Sequence, residues 1–207
     1  MGLAVMETGD LLVVCREEGV VRRYTREGKL LGHLCPSWSF SKPSDILILR
    51  GSGQIVVMDQ HEILLFTGDG ESLLKRRICQ SEIDSCYGLA EDDSGHLLTV
   101  NCNEGQNKRP KAMTGLGQTD VFFIDIAKDR VVKRIELVDV IAAEERVETR
   151  CRSLSTHAGK VYVVDQGKGR VFVFYTDADA EDSAAVFGES GNGPLQFKVW
   201  IRCNITW

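Results

Sequence analysis

The chain has 207 residues, 43% hydrophobic and 27% charged with only 4 prolines, a make-up that excludes a disordered tail, a collagen-like chain and a low-complexity linker. Its 25 Lys and Arg against 30 Asp and Glu give a formal net charge of -5, which disfavours nucleic-acid binding by the whole surface, since phosphate attraction needs clustered cations. No apolar run nears the roughly 18 residues of a membrane helix, and Met1 to Met6 lacks the basic flank of a signal peptide.

The predicted elements are short strands. The first four runs are Leu3 to Met6, Leu11 to Cys15, Val20 to Tyr24 and Lys29 to Leu34. Next come Asp45 to Leu49, Ile55 to Asp59, Ile63 to Phe66 and Ser72 to Ile78. The third group is Tyr87 to Ala90, Leu97 to Asn101, Asp120 to Ile126 and Val131 to Leu137. The fourth is Arg152 to Ser155, Val161 to Asp165, Val171 to Tyr175 and Ser183 to Phe187. These runs are rich in Val, Ile, Leu and Phe, and turn residues such as Glu27-Gly28 and Ala158-Gly159 divide them. One amphipathic helical stretch, Val138 to Val147, is the only rival element.

A unit of Gly, polar residue, apolar strand and polar stop recurs at Gly9 to Val14, Gly53 to Asp59, Gly95 to Asn101 and Gly159 to Asp165. Its glycines lie 44, 42 and 64 residues apart, the last interval being the same period with a long insertion. Four antiparallel strands in about 40–45 residues is the pattern of a propeller blade. The sequence therefore predicts an all-β propeller with four four-stranded blades at residues 2–36, 43–80, 86–138 and 151–188. Together they form a partial ring over 1–198, followed by an atypical tail at 199–207.

No Trp-Asp pair closes a strand, and no kelch-type paired glycines occur. Gly159 to Asp165 followed by Gly169-Arg170-Val171-Phe172-Val173-Phe174, the stretch Val20 to Gly32, and Phe40-Ser41-Lys42-Pro43 at the opening of the second blade resemble the NHL repeat. The resemblance spans about residues 2 to 198 and implies an NHL-type β-propeller, a fold that usually closes with six blades. Four are visible here. Gly188 to Phe197 reads as the lead-in to a fifth, but Trp200 stands where the family's Pro falls, and Gly2 begins inside a first strand. Both ends are expected to be cut, as in an expression fragment, a truncated isoform or a mispredicted gene end. An open arc with free strand edges is expected to be marginal alone or to self-associate.

Strand parity assigns the two faces. Connections between second and third strands, and from each fourth strand to the next blade, emerge on one side. That side receives both long insertions, Cys102 to Thr119 and Asp139 to Arg150, and is the expected binding face. Its candidate contacts are Arg16, Glu17, Trp38, Gln60, His61, Lys108, Arg109, Lys111, Gln166, Lys168 and Arg170. For any single one of them an ordinary solvated loop residue is the simpler reading. Trp38 can instead pack between blades, and Arg170 can brace a turn against Asp165.

Catalytic chemistry finds little support. His33, His61, His96 and His157 share no phase within the repeat, so no ring of metal ligands is expected. Asp59, Asn101 and Asp165 do share a phase, with Cys15 in the fourth place. A calcium cage is conceivable there, but turn capping by Asx side chains explains the recurrence with less. The seven cysteines are odd in number and contain no C-x-x-C, which fits buried, reduced thiols in the cytoplasm. Gly188-x-x-Gly191-x-Gly193 has the wrong order for a dinucleotide loop. No catalytic residue, metal or cofactor is assigned, and the chain is expected not to be an enzyme.

The functional expectation is a non-catalytic, cytoplasmic recognition module with protein partners and no membrane role. The NHL resemblance implies more. Such propellers often form the C-terminal part of tripartite-motif (TRIM-NHL) E3 ubiquitin ligases and select ubiquitination substrates. No RING, B-box or coiled-coil segment occurs in these residues, so this chain is not expected to transfer ubiquitin itself. The first alternative is single-stranded RNA binding on the same face, through Lys108-Arg109-Pro110-Lys111 with Arg150, Arg152, Lys168 and Arg170. The second is a metal-dependent lyase or hydrolase.

Overall fold

The computed structural model describes residues 2–60, 62–68, 76–79, 83, 86–102, 119–137, 149–176, 185–191 and 196–197. Strands β1 (Leu3–Val5), β2 (Leu11–Cys15), β3 (Val20–Tyr24) and β4 (Leu30–His33) form one antiparallel sheet in sequence order. A second sheet holds β5 (Pro43–Ile48), β6 (Ile55–Asp59), β7 (Glu62–Phe66) and β8 (Arg76–Ile78). The third comprises β9 (Cys86–Glu91), β10 (Leu97–Cys102), β11 (Thr119–Asp125) and β12 (Arg130–Glu136). The fourth comprises β13 (Cys151–His157), β14 (Lys160–Asp165), β15 (Arg170–Tyr175) and β16 (Ala185–Phe187).

The recurring glycines have a backbone cause. Gly9, Gly53, Gly95 and Gly159 each sit in the turn between the first two strands of a blade at φ +85°, +66°, +82° and +70°, where a Cβ is disfavoured. A second periodic feature follows the fourth strands. Cys35 at φ +48°, Cys79 at +51° and Gly188 at +87° turn the chain away from its sheet, and both cysteines are buried. In the segment read as the lead-in to a fifth blade, the short strands β17 (Glu189–Ser190) and β18 (Gln196–Phe197) pair in parallel. The predicted helix over 138–147 and the predicted strand residues 72–75 and 183–184 lie outside the described residues.

The apolar core is divided by blade interfaces. Leu12, Val14 and Val21 of the first blade pack with Ile55, Val57 and Phe66 of the second. Val56, Met58 and Leu65 pack with Leu97, Phe122 and Ile124 of the third. Val100, Val121 and Phe123 then pack with Val163, Phe172 and Phe174 of the fourth. The two faces of one sheet thus belong to two different cores, as blade stacking requires.

The first strands line the inside of the arc, and three of them carry a register shift near their start: between Pro43 and Asp45, between Leu98 and Val100 on the partner of β9, and between Cys151 and Ser153. Such bulges tighten the local twist. Neighbouring first strands approach closely at this level. The Asp45 carboxylate accepts the Leu89 N–H at 3.0 Å, and Gly88, at φ +69°, lies against Ser153 and Leu154. Among the described residues no helix is long and apolar enough to cross a membrane.

Candidate functional site

At the end of the arc that carries the β2–β3 type connections, the last residue of the second strand holds the backbone. Asp59 ends β6, and its two carboxylate oxygens accept the N–H groups of Ser41 at 2.8 Å and Lys42 at 2.6 Å. Asp165 ends β14 and does more. Its Oδ1 accepts the N–H groups of Arg150 at 2.9 Å, Gly167 at 3.0 Å and Lys168 at 3.3 Å, while its Oδ2 accepts Arg170 Nε at 3.1 Å. The next residue completes each clamp: Gln60 N–H donates to the Lys42 carbonyl, and Gln166 N–H donates to the Arg150 carbonyl. The recurring acid is therefore a cap on turns and linkers.

Arg16 and Glu17 are exposed in the β2–β3 turn. That turn is fixed by Gly19, whose carbonyl accepts the Phe40 N–H at 3.0 Å. A Cβ on Gly19 would stand 2.4 Å from the Phe40 carbonyl oxygen, so the turn and the linker are in direct backbone contact. Gln60 is exposed at φ +56°, and Gln166 and Lys168 are half-buried. Two candidates serve the fold. Trp38 is half-buried against the core shared by the first two blades. Arg170, its side chain 14% exposed, pairs with the fully buried Asp165 and lies 5.0 Å from the Phe172 ring centroid. His61, Lys108, Arg109 and Lys111 lie outside the described residues.

The third blade departs from this scheme. Asn101 replaces the acid, and its cross-strand partner is Asp120, not an arginine. Arg134 on β12 supplies the cation at 2.9 Å from Asp120 Oδ2. Burial nevertheless raises the Asp120 carboxyl above the usual carboxylate range, outweighing the opposing pull of Arg134. Nearby, burial pushes the Cys86 thiol up to about 12.

Sequence reasoning missed the opposite end. A cavity of about 470 Å³ lies between the first strands there, lined by Asp45, Arg50, Glu91, Asp93, Ser155 and His157 among others. Its charged groups are engaged between blades. Arg50 donates its backbone N–H to Glu91 at 2.8 Å and its guanidinium to the carbonyls of Glu91 and Asp92 at 3.1 and 2.6 Å. Asp93 accepts the Gly159 N–H at 3.0 Å, and Thr156 donates to the Glu91 carbonyl. His96 pairs with Asp92 at 3.0 Å. Among the described residues no three His, Cys, Asp or Glu side chains come together as a metal site.

No protein-family model matches the chain, and neither does any curated protein sequence. Solved structures do. A catalytically inactive virginiamycin B lyase from Staphylococcus aureus, crystallised with quinupristin, aligns with a TM-score of 0.59 at 12% identity, over 89% of this chain and 54% of the lyase. The Pan2 WD40 domain of Neurospora crassa aligns at 0.56 and 11%, over 91% of this chain and 50% of that domain. An auxiliary nutrient binding protein from Bacteroides thetaiotaomicron aligns at 0.62 and 12%, over 93% and 43%. With four four-stranded antiparallel sheets in sequence order, these likenesses define the fold as an all-β propeller, here a partial ring. The chain spans about half the length of the proteins it matches.

Proposed function

We propose that this chain is a non-catalytic recognition and scaffold propeller of NHL type that binds protein partners through the end bearing Arg16, Glu17 and Gln60. The observation that carries this reading is the clamped backbone beneath that end. Asp59, Gln60, Asp165 and Gln166 tie the turns to the linkers, so exposed side chains stand on a pre-organised frame. A surface ordered before binding loses less entropy when it binds. The likeness to a WD40 domain fits a protein-interaction role. In this reading the chain is the substrate-recognition part of a tripartite-motif ubiquitin ligase in the cytoplasm, and catalysis belongs to other segments.

The likeness to a lyase supports a catalytic reading at the level of fold alone. Against it stands the engagement of the cavity's charged groups in blade-to-blade bonds. The RNA reading is tested directly by fluorescence anisotropy with a randomised single-stranded RNA pool at about 50 and 200 mM salt, where phosphate contacts weaken binding with a log–log slope near -0.7 per contact. Absence of binding by folded protein is the expected result. Tight, salt-sensitive binding would replace the protein partner with RNA.

A further inference from the structure

We propose that Asn101 and Asp120 form a proton-operated latch at the root of the long insertion in the third blade. The two are cross-strand partners, one pair in from Cys102 and Thr119, which bracket that insertion. Directly opposed residues share a face and stand about 4.5–5.5 Å apart at Cβ, close enough for one hydrogen bond between their side chains. Their face looks towards the second blade, since Leu97, Phe122 and Ile124 on it pack with Val56, Met58 and Leu65.

Both side chains present acceptors. Asn101 is 7% exposed and Asp120 2%. Among the described residues, Asn101 Oδ1 and Asp120 Oδ1 are buried with no hydrogen-bond partner, a state that folded proteins avoid. The fourth blade shows the satisfied version: Asp165 and Arg170 are the equivalent pair, and acceptor meets donor there at 3.1 Å. In the second blade Asp59, at the position of Asn101, is capped by the Ser41 and Lys42 amides. The third blade lacks such a donor. Arg134 does not supply it, because it bonds the other oxygen, Asp120 Oδ2, at 2.9 Å. One proton taken from solvent by Asp120 Oδ1 turns that oxygen into a donor to Asn101 Oδ1, which satisfies both atoms while Arg134 keeps Oδ2.

The groups around Asp120 set where the latch closes. On its own blade these are Arg134 and Glu136 of β12, and Cys86 of β9 opposite Asn101. From the second blade Met58, Ile63, Ile78 and Cys79 line the same core and bring no charge. Among the described residues, the charged groups of that blade on this side are engaged elsewhere: Asp45 accepts the Leu89 N–H, and Arg76 pairs with Asp129 at 3.3 Å. Burial favours the protonated carboxyl most, Arg134 opposes it and Glu136 adds to it, with a net rise above 3.8. Because the folded value lies above the unfolded one, the latch's contribution to stability is fully present below pH 3.8 and is lost as pH rises through the folded value. Closure ties the two strands that flank the insertion, so proton uptake firms the loop-bearing end. This inference stands whatever that end binds.

The test is a pH titration of the isotope-labelled full chain by NMR, following the Asp120 carboxyl carbon and the Asn101 side-chain amide after sequential assignment. Both signals are expected to move with one common midpoint above 3.8. In Asn101→Ala, whose folding is checked by circular dichroism, Asp120 is expected to titrate at lower pH than in wild type, because the protonated form has lost its acceptor. Should that variant not fold, the wild-type titration decides alone. An Asp120 midpoint at or below 3.8 would overturn the proposal, since the Asn101 amide would then be donating to an ionised carboxylate. A raised Asp120 midpoint with no matching movement at Asn101, or one unchanged in folded Asn101→Ala, would overturn it too, leaving burial without a latch.

Discussion

Asp165 is fully buried, yet it accepts hydrogen bonds from three backbone amides and the Arg170 guanidinium. Asp59, at the same repeat position, holds two amides and no cation. Removing one partner of a buried ion pair typically costs about 3–5 kcal/mol, whereas stranding buried amides costs about 1–3 kcal/mol each at most. Asp165→Ala is therefore expected to lower the denaturant midpoint more than Asp59→Ala. Equal midpoint shifts would show that Arg170 adds nothing to the clamp. The phase shared by Asp59, Asn101 and Asp165 at the ends of three second strands was legible, and capping was the favoured chemistry. The acid's hold on the linkers was not legible, because the linker amides of Ser41, Lys42 and Arg150 lie 15 to 18 residues upstream.

Cys86 allows a second test at this scale. Burial raises its thiol from 9.0 to about 12. A raised value in the folded state means that stability is undiminished below pH 9 and falls as pH climbs from 9 towards 12, because the unfolded chain ionises first. In native protein at pH 8, Cys86 is expected to resist alkylation, while after unfolding it reacts at an ordinary rate. Peptide mapping that finds Cys86 alkylated before unfolding would contradict its placement between the second and third blades.

At the level of elements, strand existence and order were readable from apolar runs and turn residues, since local pattern and final burial agree along each strand. The joints between blades were not. Arg50 meets Glu91, and Asp45 meets Leu89, across more than 40 residues, and no local pattern encodes such pairs. Gly88 gives the sharpest test of a joint. At φ +69°, an added Cβ would stand 2.8 Å from Leu154 Cδ2 and 3.1 Å from both the Leu154 nitrogen and the Ser153 Cα. Gly95 at φ +82° has nothing within 4 Å. Gly95→Ala is expected to cost about 1 kcal/mol, the backbone penalty alone. Gly88→Ala adds the displacement of β13 and is expected to lower the thermal midpoint distinctly further. Equal melts would mean that the third and fourth blades do not approach as closely as described.

For the whole molecule, the propeller architecture was legible because one unit recurs four times, and the structure and its solved likenesses agree on it. The working end was inferred from parity and loop length. Parity survives as geometry, since Arg16, Glu17 and Gln60 stand at the end where the second strands finish. The cavity at the other end escaped notice because its wall is assembled from four first strands and the turns after them. The central claim, that recognition takes place at the loop-bearing end, is tested most directly by face-resolved photocrosslinking. A photoreactive residue is placed at Glu17 or Gln60 on that end, and at Glu27 or Ser94 on the other, in otherwise unchanged folded chain. A discrete protein adduct from Glu17 and Gln60, absent from Glu27 and Ser94, is the expected result; the same adduct from Glu27 and Ser94 alone would contradict the account.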